Sequence, residues 1–189
     1  MSKSPDGLLT LLTEVGNIAA ETQQTFGRLS EEQLNWKQNA ESWSIGQCFE
    51  HLAKASDSFF PIIEQVIKGE KPRTFLESLP LWSDLFGGML IKYLSPESTK
   101  ELKAPTIFQP SSSDVDPNII NSFVKQQHYL TSLMKETAEL DLRRIKVTSP
   151  SLRFVTYSLM DCYTIIVVHE KRHFQQAKRV LRAKGFPAT

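Results

Sequence analysis

Two histidines stand four residues apart in the run Val167-Val168-His169-Glu170-Lys171-Arg172-His173-Phe174-Gln175-Gln176-Ala177. On an α-helix, residues i and i+4 share a face one turn apart. Two neutral imidazoles so placed can grip one divalent metal ion. The preceding stretch, Cys162 to Val168, is apolar and rich in β-branched residues, so this helix is expected to be buried. A buried imidazole without a partner is costly, and the pair needs an explanation. Satisfied core histidines, or a pair at the helix surface, would also give the spacing. A catalytic metal site usually takes three protein ligands, so a third must come from elsewhere.

His51 is the candidate. It lies two turns into an expected helix, roughly 40–60° around from Cys48 and Ala55. It therefore borders the core stripe beside small neighbours that leave room for an ion. A boundary histidine bonded to a backbone carbonyl is the alternative. Together with His169 and His173 it would give three neutral imidazoles from two helices, with positions left open for water or substrate. If all three hold one ion, their nitrogens should converge to within about 3–4 Å. His128 is flanked by polar Gln126 and Gln127 and reads as a surface or boundary residue, with a fourth ligand or catalytic base as the alternative.

Four long helices would have to position these side chains. The first is expected over about 7–26, capped by Asp6, with Leu8, Leu12, Val15, Ala19, Thr22 and Phe26 on one face. Ser30-Glu31-Glu32-Gln33 resembles a short capped turn, and Trp36 and Trp43 are expected to pack at one end of the bundle. Ser44 and Gln47 form a capping box for the second helix, which Pro61 should kink before it ends near Gly69. Residues 69 to about 115 form a long connection. It carries one amphipathic piece marked by Trp82, Leu85, Phe86, Met89 and Tyr93, with Gly87-Gly88 weakening its middle. So long a connection permits a crossover. Asp116-Pro117 should start the third helix, which runs to about Glu139. Leu140 to Tyr157 reads as a solvated loop with Arg143, Arg144 and Lys146. Ser158 with Asp161 caps the fourth helix, which ends before Gly185. Its expected core stripe is Cys162, Ile165, Ile166, His169, His173, Gln176 and Val180.

The 189 residues suit one domain, 1–189, with a sizeable core. A formal net charge of +1 argues against a general affinity for nucleic acid. The N-terminal stretch is expected to be a core helix and not a signal peptide, and no apolar run approaches the roughly 20 residues of a membrane span. Cys48 and Cys162 are too few for a disulfide framework. They read as buried thiols of a cytoplasmic protein, with a single disulfide as the alternative.

Several stretches taken together resemble the DinB-like (YfiT-like) family. They are Trp36 followed by Glu41-Ser42-Trp43-Ser44-Ile45-Gly46-Gln47-Cys48-Phe49-Glu50-His51-Leu52, the run His169 to Ala177, the loop Phe108-Gln109-Pro110, and Tyr157-Ser158-Leu159-Met160-Asp161. The resemblance implies an all-α four-helix bundle in up-down-down-up order, with a long connection between helices 2 and 3 carrying a short extra helix. It implies a divalent metal on His51, His169 and His173, and a homodimer. The activities it implies are transfer of a low-molecular-weight thiol such as bacillithiol or mycothiol, and mycothiol-dependent isomerisation.

Zinc or nickel on three imidazoles would either lower the pKa of a bound water, giving a hydrolase, or hold a thiolate, giving a thiol-dependent transferase acting on a small molecule. Glu50 and Glu170 adjoin the ligands in sequence and so point about 100° away, which leaves no evident general base and favours thiol activation. The alternative is a non-enzymatic, stress-associated dimeric binding protein whose metal is structural or vestigial. A third possibility is no metal at all.

Overall fold

The computed structural model describes residues 5–78, 82–98, 104–111 and 114–188. It is mostly helical. The long elements are α1 (Pro5–Phe26), α3 (Ile45–Asp57) continued by α4 (Phe60–Ile67), α6 (Ile119–Glu136) and α7 (Leu159–Leu181). Shorter helices are α2 (Glu31–Asn35) and α5 (Trp82–Leu94). Single 3₁₀ turns occur at Leu76–Ser78 and Thr106–Phe108. No helix among the described residues is long and apolar enough to cross a membrane.

The caps that the sequence suggested at α2, α3 and α7 are all present. Ser30, Ser44 and Ser158 each accept from the backbone N–H three residues on, and Gln33, Gln47 and Asp161 reach back to close the box. Each such cap is worth roughly 1 kcal/mol. The break between α3 and α4 falls just before Pro61, which lacks the N–H that would continue the ladder. The third helix ends at Glu136, short of the expected Glu139, and two starts differ from expectation. The first helix begins at Pro5, so Asp6 lies within its first turn and not ahead of it; its side chain is outside the described residues, as is that of Trp82. The third helix begins at Ile119 and not at Asp116-Pro117. Ile119 donates its N–H to the Asp116 carbonyl, a tight turn that delays the regular ladder, while Asp116 Oδ1 accepts from Asn118 N–H.

The solvated loop expected over Leu140 to Tyr157 instead carries a small antiparallel hairpin. Strands β1 (Lys146–Thr148) and β2 (Thr156–Ser158) pair with Val147 opposite Tyr157. Three residues are too few to show a period-two pattern in sequence. Buried Val147, Val155 and Tyr157 hold the hairpin against the bundle. Helix α5 lies over this hairpin and the start of α7. The approach is so close that a Cβ on Gly87 would sit 2.6 Å from the Asp161 carboxylate. A larger residue there would have to displace the Asp161 side chain that caps α7.

One phenylalanine from each long helix meets in the core. Phe26 of α1 lies edge-on to Phe49 of α3 at 5.2 Å and to Phe174 of α7 at 5.6 Å, and Phe49 meets Phe123 of α6 at 5.0 Å. Edge-to-face pairs are worth about 0.5–1.5 kcal/mol each beyond the area they bury. They also fix how α3 and α7 are rotated about their axes. Contacts along the helices set their mutual directions. Glu14 pairs with Lys171 and Glu21 with Lys178 between α1 and α7. Phe49 meets Phe123, Asp57 meets Gln126 and Glu64 meets Tyr129 between α3–α4 and α6. Both series advance together.

The first half of the expected α7 stripe, Cys162, Ile165 and Ile166, is buried, and the rotation of α7 corrects the half from His169 onward. With Phe174 pinned inward, the fully buried line is Tyr163, Val167, Glu170, Phe174 and Ala177. His169 and His173 lie on the flank of this line and are half-buried. The neighbouring line, expected from its apolar members Cys162, Ile165, Ile166 and Val180, carries no charged residue, whereas the observed one buries Glu170.

Candidate metal centre

His51 is 2% exposed and faces α7. Its position follows from Phe49, two residues earlier, which turns inward and leaves His51 on the side of α3 next to α7. The three histidines converge. One ring nitrogen from each of His51, His169 and His173 lies within 4.8 Å of the others. His51 Nε2 and His169 Nε2 are 3.1 Å apart. The expected 3–4 Å spacing thus holds for that pair, and the set as a whole is looser. Ring centroids stand 4.6–5.0 Å apart with steep interplanar angles of 65–88°. The nitrogens can therefore point at a common centre without the rings stacking.

Partners on the far side of two rings decide which nitrogen faces that centre. His51 Nδ1 lies 2.7 Å from the Phe108 carbonyl, and His173 Nδ1 lies 2.8 Å from Gln176 Oε1. Both partners are acceptors, so each Nδ1 carries the proton and donates. Each Nε2 is left with a lone pair. This is the outer arrangement that orients metal-bound imidazoles.

Electrostatics keep the rings neutral. Burial is the largest cause lowering all three from the ordinary histidine range. At His51 the Phe108 carbonyl opposes the shift in part. His169 falls well below, pushed further by its two neighbours and Arg172. His173 falls to about 3, with His51 adding to burial and Gln176 opposing. His169 and His173 keep some exposed surface, yet desolvation of the imidazole dominates. Neutral imidazole is the form that binds a metal.

Two neighbouring groups flank the histidines. Trp43, half-buried, sits 4.9 Å from the His51 ring and stacks on His173 at 5.6 Å with a 22° tilt. It was expected at the bundle end, among packing residues; the structure adds it to the site. Trp36 does pack there, edge-on to Phe186 at 5.4 Å. Arg172 donates to the Tyr93 carbonyl at 3.0 Å and so ties the end of α5 beside the histidines. His128 is exposed on α6 and is not part of the cluster.

The two carboxylates next to the histidines in sequence turn elsewhere. Glu50 accepts from Ser111 N–H and Oγ–H and pairs with Lys54. Burial works to raise its pKa, but these bonds outweigh it and hold it below the usual range. Glu170, fully buried, accepts from Gln127 Nε2 at 2.9 Å and Ser56 Oγ at 3.3 Å. Burial pushes its pKa up to about 7 against those two bonds. Neither thiol joins the site. Cys48 and Cys162 are buried and free, and burial raises both.

A model of the DinB superfamily matches residues 17–177. The chain belongs to the DinB superfamily. The match spans every residue placed in the site, from Trp43 to Gln176. This superfamily member is also 26% identical over 163 residues to the uncharacterized protein YuaE of Bacillus subtilis (strain 168), covering 85% of this chain and 90% of that one. No solved structure matches the chain.

Three neutral imidazoles of which two have their tautomer set by outer acceptors form a donor set that fits a divalent ion. Sequence spacing found all three. It missed the Phe108 carbonyl, which is 57 residues away from His51. It also missed Gln176 as a partner, although the i, i+3 spacing from His173 was a usable signal.

Proposed function

We propose that this chain holds a divalent metal ion, zinc or nickel, on His51, His169 and His173, and uses it to transfer a low-molecular-weight thiol to a small electrophile. The observation that carries the reading is the convergence of three imidazoles, with the Phe108 carbonyl and Gln176 turning the lone pairs of His51 and His173 inward. When bound, such an ion acts as a Lewis acid and stabilises a thiolate or hydroxide at neutral pH.

The protein's own residues supply the rest. His51, His169 and His173 are held neutral by burial and need no proton loss before binding. Trp43 covers one side and offers an apolar, polarisable wall to a substrate. Glu50 is held by Ser111 and Lys54 and Glu170 is turned toward Ser56 and Gln127, and neither belongs to the cluster of converging groups, so neither neighbour is placed to serve as a base. A reaction that needs no base once the nucleophile is ionised, as with a thiol, suits this arrangement better than hydrolysis. Hydrolysis of a small ester or amide is the runner-up chemistry.

The architecture is read as one up-down-down-up bundle. It is supported by the α1–α7 and α3–α6 pairings that advance together, and by His51–His173 and Ser56–Glu170 between α3 and α7, which run in opposite order. We also read the protein as cytoplasmic, from its buried thiols, and as a homodimer, from the family resemblance alone.

The test is elemental analysis of protein purified without a histidine tag, followed by assay with low-molecular-weight thiols against a panel of electrophiles and esters. One divalent ion per chain, and thiol consumption that disappears in His169→Ala, are expected. Ester turnover without any thiol requirement would replace the transferase reading with the hydrolase one. Absence of metal binding by the wild type would overturn both.

A further inference from the structure

One face of α3 is bonded to the backbone of a single short segment. Gln47 Nε2 donates to the Ser111 carbonyl at 2.6 Å. Glu50 Oε2 accepts from Ser111 N–H at 2.8 Å and from its Oγ–H at 2.9 Å. His51 Nδ1 donates to the Phe108 carbonyl at 2.7 Å, and Lys54 Nζ to the Gln109 carbonyl at 3.1 Å. The four positions fall at i, i+3, i+4 and i+7, one stripe of a helix.

The segment is built to present these groups. The 3₁₀ turn Thr106–Phe108 ends because Pro110 follows; proline biases Gln109 to extended backbone, and Gln109 has φ −61° and ψ 136°. The Phe108 carbonyl is left beyond the last turn and open to an outside donor. Phe108, 8% exposed, is buried at one end of the segment. Ser111, held by Gln47 and Glu50, fixes the other end.

We propose that the Phe108–Ser111 segment is a strap that positions His51, and that Glu50 and Gln47 are positioning residues that hold the strap's far end so that the Phe108 carbonyl keeps the proton on His51 Nδ1. His173 donates the equivalent bond to Gln176, three residues along its own helix. His51 depends on a contact 57 residues away, so its orientation requires the clamp. Glu50 acts through the strap and touches neither the ring nor the space between the histidines. This inference rests on the metal reading above for its effect on affinity, but not for its effect on the histidine itself.

The experiment has two readouts on wild type, Glu50→Ala, Glu50→Gln and Gln47→Glu. The first is the tautomer of His51 in metal-free protein, read from imidazole ¹⁵N shifts. The second is cobalt(II) affinity, read from visible absorption in competition with a chelator. Glu50→Gln keeps a carbonyl oxygen to accept from Ser111 N–H. Gln47→Glu keeps the capping box of α3 but sets an acceptor against the Ser111 carbonyl. Wild type is expected to show His51 with its proton on Nδ1. Glu50→Ala and Gln47→Glu should populate the other tautomer and bind cobalt(II) about 10- to 100-fold more weakly, the range typical of lost outer partners. Glu50→Gln should restore most of both. Circular dichroism of each variant separates this from loss of fold.

Wild-type cobalt(II) binding with tautomer and affinity unchanged in Glu50→Ala and Gln47→Glu would overturn the strap and leave the metal reading standing. A tautomer shift in those variants, with no cobalt(II) bound by the wild type, would support the strap and overturn the metal reading.

Discussion

Two polar clusters lie side by side on α7 and are handled in opposite ways. His169 and His173 meet His51 with their ring nitrogens turned toward one another. Glu170, one residue from His169, lies fully buried with Ser56 and Gln127. Burial pushes both clusters toward their neutral forms, lowering the histidines and raising the glutamate. The consequences differ. A neutral imidazole with an inward lone pair is a ligand waiting for a cation. A buried carboxyl tied to a hydroxyl and an amide is a packing element of the core. The lesson is that burial alone does not mark a functional group. The direction in which lone pairs converge does.

The sharpest way to break the comparison is to remove His169. A ligand that binds only the folded chain stabilises it by about 4 kcal/mol at a thousandfold excess over Kd. For a domain of this size that is roughly 10 °C or more in melting temperature. Added zinc or nickel should therefore raise the wild-type melting temperature by that order, and His169→Ala should lose most of the rise. With chelator present the two proteins should melt much closer together. Equal metal shifts would mean His169 is not a ligand.

Next in size is the glutamate's own pH response. Its folded pKa, about 7, stands above the ordinary 4.5, so the native chain holds a proton that the unfolded chain has lost. Stability from this group is full below 4.5 and declines as pH rises to about 7, a loss of about 3 kcal/mol by the size of the shift. Glu170→Gln, neutral at every pH, should remove that decline. Denaturant melts of chelated protein at pH 5 and pH 8 measure it. Cobalt(II) affinity in this variant should stay near wild type.

The histidines should give the opposite slope. Their folded pKa values are lowered, so below about 6.5 the unfolded chain takes up protons that the native chain refuses. Stability of the metal-free protein is then lost as pH falls from 6.5 toward 3, the window set by His173. The acid limb should persist in Glu170→Gln and weaken in His173→Gln. An acid limb that vanished in Glu170→Gln would assign it to the wrong cluster.

The smallest effect expected is that of Ser56→Ala. It removes one long hydrogen bond to Glu170, worth about 1 kcal/mol at most. Chemical denaturation should show the loss at pH 8, where the carboxyl is charged, and little at pH 5. A change in metal binding would show that the two clusters are coupled.

Helix spacing made much of this molecule legible in the sequence. The capping boxes at Ser30, Ser44 and Ser158, the break at Pro61, and the short helix within the long connection each follow from local chemistry acting over a few residues. So does the pairing of His169 with His173, because one turn of helix fixes their separation. His51 was identifiable as a partner because the core-facing side of its own helix could be counted.

What local pattern did not determine was rotation. Two lines of α7 were apolar enough to face the core, and the aromatic contacts of Phe174 with Phe26, and of Phe26 with Phe49, selected the one that buries Glu170. A helix packed between two neighbours buries a wide arc, so composition alone cannot choose its centre. The Phe108 carbonyl behind His51, Trp43 against two of the rings, and the three-residue strands β1 and β2 were likewise decided by tertiary packing. Each depends on residues far apart in the chain, whose meeting depends on how the whole core fills. The sequence by itself determined which residues could bind an ion. Only the packed bundle decided which way their lone pairs point.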